Sequence, residues 1–202
     1  MHTAKRLFVL VGLLLLTASA FAQDIDLTSG KLDFLKGQKT INVVYAYDNV
    51  RVGKGTEQEY IDRKVADYNK DKAGRGDEWL KNWKNDRPNR YHPKFEELMN
   101  EYLKDAGVKV GNFPTAAYTI VLRTTFIEPG FNVGIMRMPA YTNLEADFVK
   151  TGTTDNLAVV TMMKSPGRDA MGYDFDAGLR ISESYAKAGK SLAKFLLKKK
   201  AV

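Results

Sequence analysis

Asp67, Asn69, Asp71 and Glu78 carry the most suggestive spacing in the chain. Counted from Asp67, they occupy ligand positions of an EF-hand calcium loop, and helical patterns flank the segment on both sides. Lys72 stands where that loop requires glycine for its sharp turn, and Gly74 stands where an apolar residue is usual. The four residues are therefore a calcium candidate, set against a plainer reading as a polar loop between helices. The same segment contains Arg75-Gly76-Asp77, the tripeptide that integrins recognise, in a place where Asp also serves to start a helix.

Other chemistries lack their parts. The chain has no cysteine and two histidines, His2 and His92. A Ser–His–Asp triad needs a histidine to take and return the proton, and His92 sits just before Pro93 with no Gly-x-Ser-x-Gly elbow in the chain. Zinc sites call for three or four nitrogen or sulfur ligands. Gly53-Lys54-Gly55-Thr56 lies between a predicted strand and a predicted helix, but its spacing is not that of a phosphate-binding P-loop. Glycan or cell-wall hydrolysis stays open, because it needs two carboxylates at a suitable separation and nothing more. Glu96, Glu97, Glu101 and Glu128 are the acids available for it.

Two sets of residues suit binding instead. Lys187, Lys190, Lys194 and Lys198 recur at helical spacing, opposite an apolar stripe of Ile181, Tyr185, Ala188, Leu192 and Phe195. Such a face suits an anionic partner (lipid head groups, lipopolysaccharide or an acidic protein) or simply water. Trp79 and Trp83 lie four residues apart on one helix face. They serve either as core residues or as a platform for a partner or a sugar.

The elements that must position these groups begin after residue 22. Lys5 and Arg6, the apolar run Leu7–Leu16 and the small residues of Ala20-Phe21-Ala22 form the pattern of a secretory signal peptide. Its removal leaves Gln23–Val202, with 29 basic and 24 acidic residues and a net charge of +5 against +7 for the whole chain. No further stretch is long and apolar enough to span a bilayer. Export places the chain in the periplasm or outside the cell, away from nucleic acid, so the basic balance is not a nucleic-acid signal.

Gln23–Gln38 reads as a lead-in segment that docks Leu32, Phe34 and Leu35 on the core. Thr40–Tyr47 predicts an interior strand, apolar on both faces. Thr56-x-x-Glu59 fits a capping box and starts a helix through Ile61, Val65 and Tyr68. A short helix carries Trp79, Leu80 and Trp83 and stops before Pro88. A third runs from Pro93 to Gly107. Tyr118–Ile127, Leu144–Lys150 and Leu157–Lys164 predict three strands, the last two a hairpin, and Asp174–Lys200 the longest helix. The expected fold is one α+β (mixed α/β) domain over residues 23–202. It has a single sheet of four or five strands, helices packed on it, and the order β-α-α-α-β-β-β-α. Ala188 and Gly189 are expected to let the last helix approach the sheet.

Tyr118-Thr-Ile-Val-Leu-Arg-Thr-Thr-Phe-Ile-Glu-Pro-Gly130 is a strand ending in a Pro-Gly turn. It is followed by two strands and an Ala/Lys-rich helix ending at Phe195-Leu196-Leu197. Tyr118–Leu197 thereby resembles an uncharacterised family of Gram-negative envelope proteins, many of them lipoproteins. Their fold is similar to the TolB N-terminal domain and to penicillin-binding-protein activators. The resemblance implies an envelope accessory or adaptor role and carries over no catalytic residue. It lacks the family's lipobox cysteine, and it leaves Asp67–Tyr91 unexplained. The sequence thus predicts an exported, non-enzymatic adaptor that binds an envelope protein or an anionic envelope surface. Its contact surfaces would be the lysine face, Trp79 and Trp83, and the Val133–Tyr141 loop. The alternatives are a carboxylate-dependent glycan hydrolase and a calcium-binding secreted protein. No cofactor beyond calcium is expected.

Overall fold

The computed structural model describes residues 23–133, 136–167 and 176–202, with the backbone alone at 132, 133, 136 and 137. The expected signal peptide lies outside the described residues. So do Gly134 and Ile135 of the Val133–Tyr141 loop, and Asp174 at the expected start of the last helix.

The strands are β1 (Asp24–Gly30), β2 (Thr40–Ala46), β3 (Arg51–Val52), β4 (Gly55–Thr56), β5 (Lys109–Gly111), β6 (Tyr118–Glu128), β7 (Phe131–Val133), β8 (Met136–Met138), β9 (Tyr141–Lys150) and β10 (Asn156–Pro166). The helices are α1 (Glu57–Asp71), α2 (Arg75–Asp86), α3 (His92–Leu103) and α4 (Ala177–Lys198). Helices and sheet share one fold, as expected, but the sheet has eight strands where four or five were expected. Its main path runs β1-β10-β9-β6-β2-β5, with β3 added beside β6 and β4 beside β3; β7 and β8 pair as a separate ribbon. The extra strands escaped the sequence reading for physical reasons. β3, β4 and β5 are two or three residues long, too short to show alternation. β1 is a polar edge strand that turns only Ile25 and Leu27 toward the core.

Several expectations hold. β2 is interior, running parallel to both β5 and β6. A parallel neighbour demands a long crossover, and the segment from α1 to α3 supplies it. β9 and β10 form the expected antiparallel hairpin. β2 is not buried on both faces, however. Ile41 and Val43 enter the core, whereas Val44 is 44% exposed on the reverse face.

The capping box is complete: Glu59 N–H donates to Thr56 Oγ1 at 3.2 Å, and Thr56 N–H donates to Glu59 Oε2 at 2.8 Å. Gly74 turns the chain in the left-handed region, with φ 82°, and α2 returns along α1. A Cβ at Gly76 would lie 2.4 Å from Val65 O, so glycine is required for this close pairing. Arg75-Gly76-Asp77 is therefore the first turn of α2 with Gly76 buried, not an exposed loop. Pro88 does not stop the helix. A π-helical turn over Arg87–Tyr91 takes it up and leads directly into α3.

The apolar face of α4 is buried as its spacing predicts, with Ile181, Tyr185, Ala188 and Leu192 each 0% exposed. Gly189 meets α3 and not the sheet, a correction to the expected role of this small-residue pair. A Cβ there would stand 2.2 Å from Phe95 O and 3.3 Å from Met99 N. Helix propensity favours alanine over glycine by up to about 1 kcal/mol. Overpacking against a backbone that cannot yield costs roughly 1–3 kcal/mol, so the clash wins. Gly189→Ala is expected to lower the denaturation midpoint; an unchanged or raised midpoint would show that α3 and α4 can separate freely.

Candidate functional site

A cleft of about 830 Å³ opens between the α1–α2 pair, the turn after β6 and the first turn of α4. Tyr60, Tyr68, Trp79 and Trp83 form its aromatic wall. Trp79 and Trp83 stack at 5.6 Å between centroids, and Tyr60 lies 5.2 Å from Trp83. Trp83 is 4% exposed, and its Nε1–H donates to Glu57 Oε1 at 2.7 Å, so it anchors the wall as a core residue. Trp79 is half-buried and nearer the opening. Across the cleft stand Pro129, Gly130 and Phe131, the last 38% exposed.

Asn82, Asn85 and Asn89 line the helical side. Their spacing puts all three on one face of α2 and the π-helical turn. All three are exposed, and no described residue makes a hydrogen bond to their side chains. Each amide offers an acceptor oxygen and two N–H donors. Sequence reasoning missed this row, although its i, i+3, i+7 spacing was visible among the lysines and tryptophans around it.

The charged groups of the cleft are held in contacts. Arg90 Nη1 lies 2.7 Å from both carboxylate oxygens of Asp176, and Arg90 Nε lies 3.2 Å from Asp86 Oδ1. Asp176 also caps α4, accepting from Leu179 N–H at 3.0 Å. Burial pushes Asp86 upward, opposed by Arg90. Burial opposes ionisation of Asp176 as well, but Arg90 and the capping N–H groups hold it below the usual carboxylate range. Arg180 is 4% exposed and donates from Nε to Pro129 O at 3.2 Å, fixing the turn after β6 to α4. A Cβ at Gly178 would lie 1.9 Å from Asp86 Oδ2, so glycine lets α4 begin against the acid.

The four candidate acids have separate environments. Tyr45 O–H donates to Glu96 Oε1 at 2.9 Å, and Glu97 pairs with Lys94 at 2.8 Å. Glu101 is exposed. Glu128 accepts from Gly130 N–H at 3.1 Å, and burial raises its carboxyl. The pair that the fold does bring to one cleft, Asp86 and Asp176, was not among the candidates.

The calcium candidates are spent elsewhere. Asp67, Asn69 and Asp71 lie within α1, which runs on to Asp71 and so takes up the first five residues of the expected loop. Asn69 Oδ1 accepts from Gly76 N–H at 2.8 Å, Asp71 pairs with Arg75 at 3.2 Å, and Asp67 lies 3.5 Å from Lys70. Glu78 is in α2. Among the described residues no three His, Asp or Glu side chains are grouped to hold a metal ion.

The lysine face is present on α4 but is not bare charge. Lys187, Lys194 and Lys198 are exposed and Lys190 is half-buried. Lys190 and Lys194 both lie over the Tyr102 ring, at 5.1 and 5.0 Å. Lys187 reaches Gly167 O at 3.4 Å. These lysines occupy the second half of α4, whereas the cleft takes its first turn.

His92 is not set for catalysis. Its ring stacks on Tyr45 at 3.6 Å, and Nε2 lies 3.0 Å from Tyr47 Oη. Burial, helped by the Arg87 charge, lowers its pKa to about 4.

No family model matches the chain, and no curated protein matches it. Similar solved structures exist at low identity. A PelC dodecamer from Paraburkholderia phytofirmans is 14% identical, with a TM-score of 0.40, covering 90% of this chain and 99% of that one. An L103M form of the same dodecamer is 13% identical, with a TM-score of 0.35, covering 82% and 96%. A DUF330 protein from Xanthomonas campestris is 10% identical, with a TM-score of 0.37, covering 81% and 85%. Likeness at this level carries neither an assignment nor a function to this chain. None of these three is a TolB domain or a penicillin-binding-protein activator, so that expected resemblance gains no support from them.

The lowered His92 pKa makes stability depend on pH. An unfolded histidine binds its proton near pH 6.5, before the folded one does. The stability that neutral His92 contributes is therefore complete above about pH 6.5 and is lost as pH falls toward 4. The melting temperature is expected to fall more between pH 7 and 5 in the unmodified chain than in His92→Gln. Parallel falls would contradict the assignment.

Proposed function

We propose that the protein is an exported, non-enzymatic binding protein of the cell envelope that holds its ligand in the cleft between α2 and the start of α4. One observation carries this reading. This cleft presents exposed amides without protein partners beside aromatic rings, while Asp86, Arg90 and Asp176 are tied to one another. Such a lining has groups that bind and orient. The N-terminal pattern of residues 1–22 supports the export part of this reading. No helix among the described residues is long and apolar enough to cross a membrane, which is consistent with a chain that works beside one. In this reading the lysines of α4 form a second surface, facing an anionic envelope partner.

Glycan hydrolysis fits less well. Asp86 and Asp176 do share the cleft, but a general acid must carry a proton to the leaving group. Arg90 holds Asp176 below the usual carboxylate range, and although burial raises Asp86, both carboxylates are engaged by the one guanidinium that lies between them. The arrangement is that of a clamp closing α4 onto the end of α2.

A photo-crosslinking residue placed at Asn82 of the exported chain tests the cleft in cells. An adduct is expected at Asn82 and not at Asp105, which lies beyond the opposite end of α3. Equal adducts at both positions, or none at either, would overturn the reading.

A further inference from the structure

The geometry points to a neutral oligosaccharide as the ligand of this cleft. The inference rests on the cleft being the ligand site and names the chemistry that its lining recognises.

Four features of the lining select this class. First, Asn82 and Asn85 are one helical turn apart on one face, separated by roughly 4.5 Å along the axis. Each can give and accept hydrogen bonds at once. Vicinal hydroxyl groups of a sugar need partners of that kind, because each hydroxyl is itself both donor and acceptor. Second, aromatic surface lies on both sides. Trp79 stands on the α2 side, and Phe131 stands exposed across the opening. Sugar rings carry apolar C–H faces that pack against such rings while their hydroxyls point to polar groups. Third, most of the charged groups are held in contacts within the protein. Arg90 is committed to Asp86 and Asp176, Arg180 to the Pro129 carbonyl, and Lys64 lies over the Tyr68 ring at 5.3 Å. Lys64 makes no ion pair with a described residue, so an anionic ligand would meet one ammonium there and not the bidentate arginine fork that suits phosphate and carboxylate. Fourth, the volume of about 830 Å³ falls within the range of small-ligand sites and is large enough for more than one sugar ring.

Both tryptophans of the chain lie in the aromatic wall, so their fluorescence reports directly on the cleft. The full mature chain is titrated with chitotriose, maltotriose and cellotriose. A saturable change in emission is expected with at least one of them. The double variant Asn82→Ala/Asn85→Ala is expected to bind that sugar about tenfold more weakly or worse, since amide–hydroxyl bonds are lost at both sites. Its melting temperature is expected to stay level or rise, because the two amides have no protein partner and alanine is the better helix former. Phe131→Ala gives an independent check from the other side of the cleft and is expected to weaken the same titration. No response to any of the three sugars overturns the inference, and so does an unchanged midpoint in the double variant. If a protein adduct forms at Asn82 in cells while no sugar binds, the sugar assignment fails and the cleft stands. If neither appears, the cleft itself falls.

Discussion

The carboxylate of Glu57, at the first residue of α1, is the point on which the rest of the helical layer depends. It accepts from Arg87 and from the Trp83 indole, joining the start of α1 to the end of α2 and the π-helical turn. The Arg87 guanidinium then lies over the Tyr47 ring at 3.9 Å, and Tyr47 Oη meets His92 Nε2. One charge pair therefore ties the α1–α2 pair to the end of β2 and to the head of α3. Both side chains are mostly removed from water, at 21% and 17% exposure for Arg87 and Glu57. At such a site loss of one partner costs more than loss of a surface ion pair, because the survivor keeps its desolvation penalty.

This constraint has a functional consequence. The α1–α2 pair has no strand of its own in the sheet beyond the short β3–β4 addition. Its position is set by Trp83 and Tyr60 packing inward and by the Glu57–Arg87 contact. The cleft is what remains between this pair and the turn that Arg180 fixes to α4. The same helix that sends Trp83 into the core sends Asn82 and Asn85 outward, since they lie about 100° and about 160° from Trp83 around the helix axis. Core packing and ligand recognition are thus two faces of one element, and a ligand meets a wall already fixed in place.

Much of the scaffold was legible in the residues. Thr56 and Glu59 announced the start of α1, the alternation of Tyr118–Ile127 announced β6, and the apolar stripe of α4 named its buried face. These signals are local and periodic. What stayed hidden depends on contacts distant in sequence. β1 is a strand because β10 offers it an edge, not because of its own polar composition. Pro88 resembled a stop, yet the π-helical turn takes up the missing donor. The EF-hand spacing was real as spacing, but Asp67, Asn69 and Asp71 sit on a continuous helix, where such residues diverge around the axis. One wall of the cleft lies in Asp67–Tyr91, the segment that the family resemblance left unexplained, and the other is brought to it from the turn after β6 and the start of α4.

The most direct test of this account is a double-mutant cycle on Glu57 and Arg87, using Glu57→Gln, Arg87→Met and the pair together, read by chemical denaturation. If the contact holds the α1–α2 pair to the sheet, each single change destabilises and the two are coupled by more than about 1 kcal/mol. Single effects that add to within about 0.5 kcal/mol would contradict it, and would leave packing alone to set the position of the cleft.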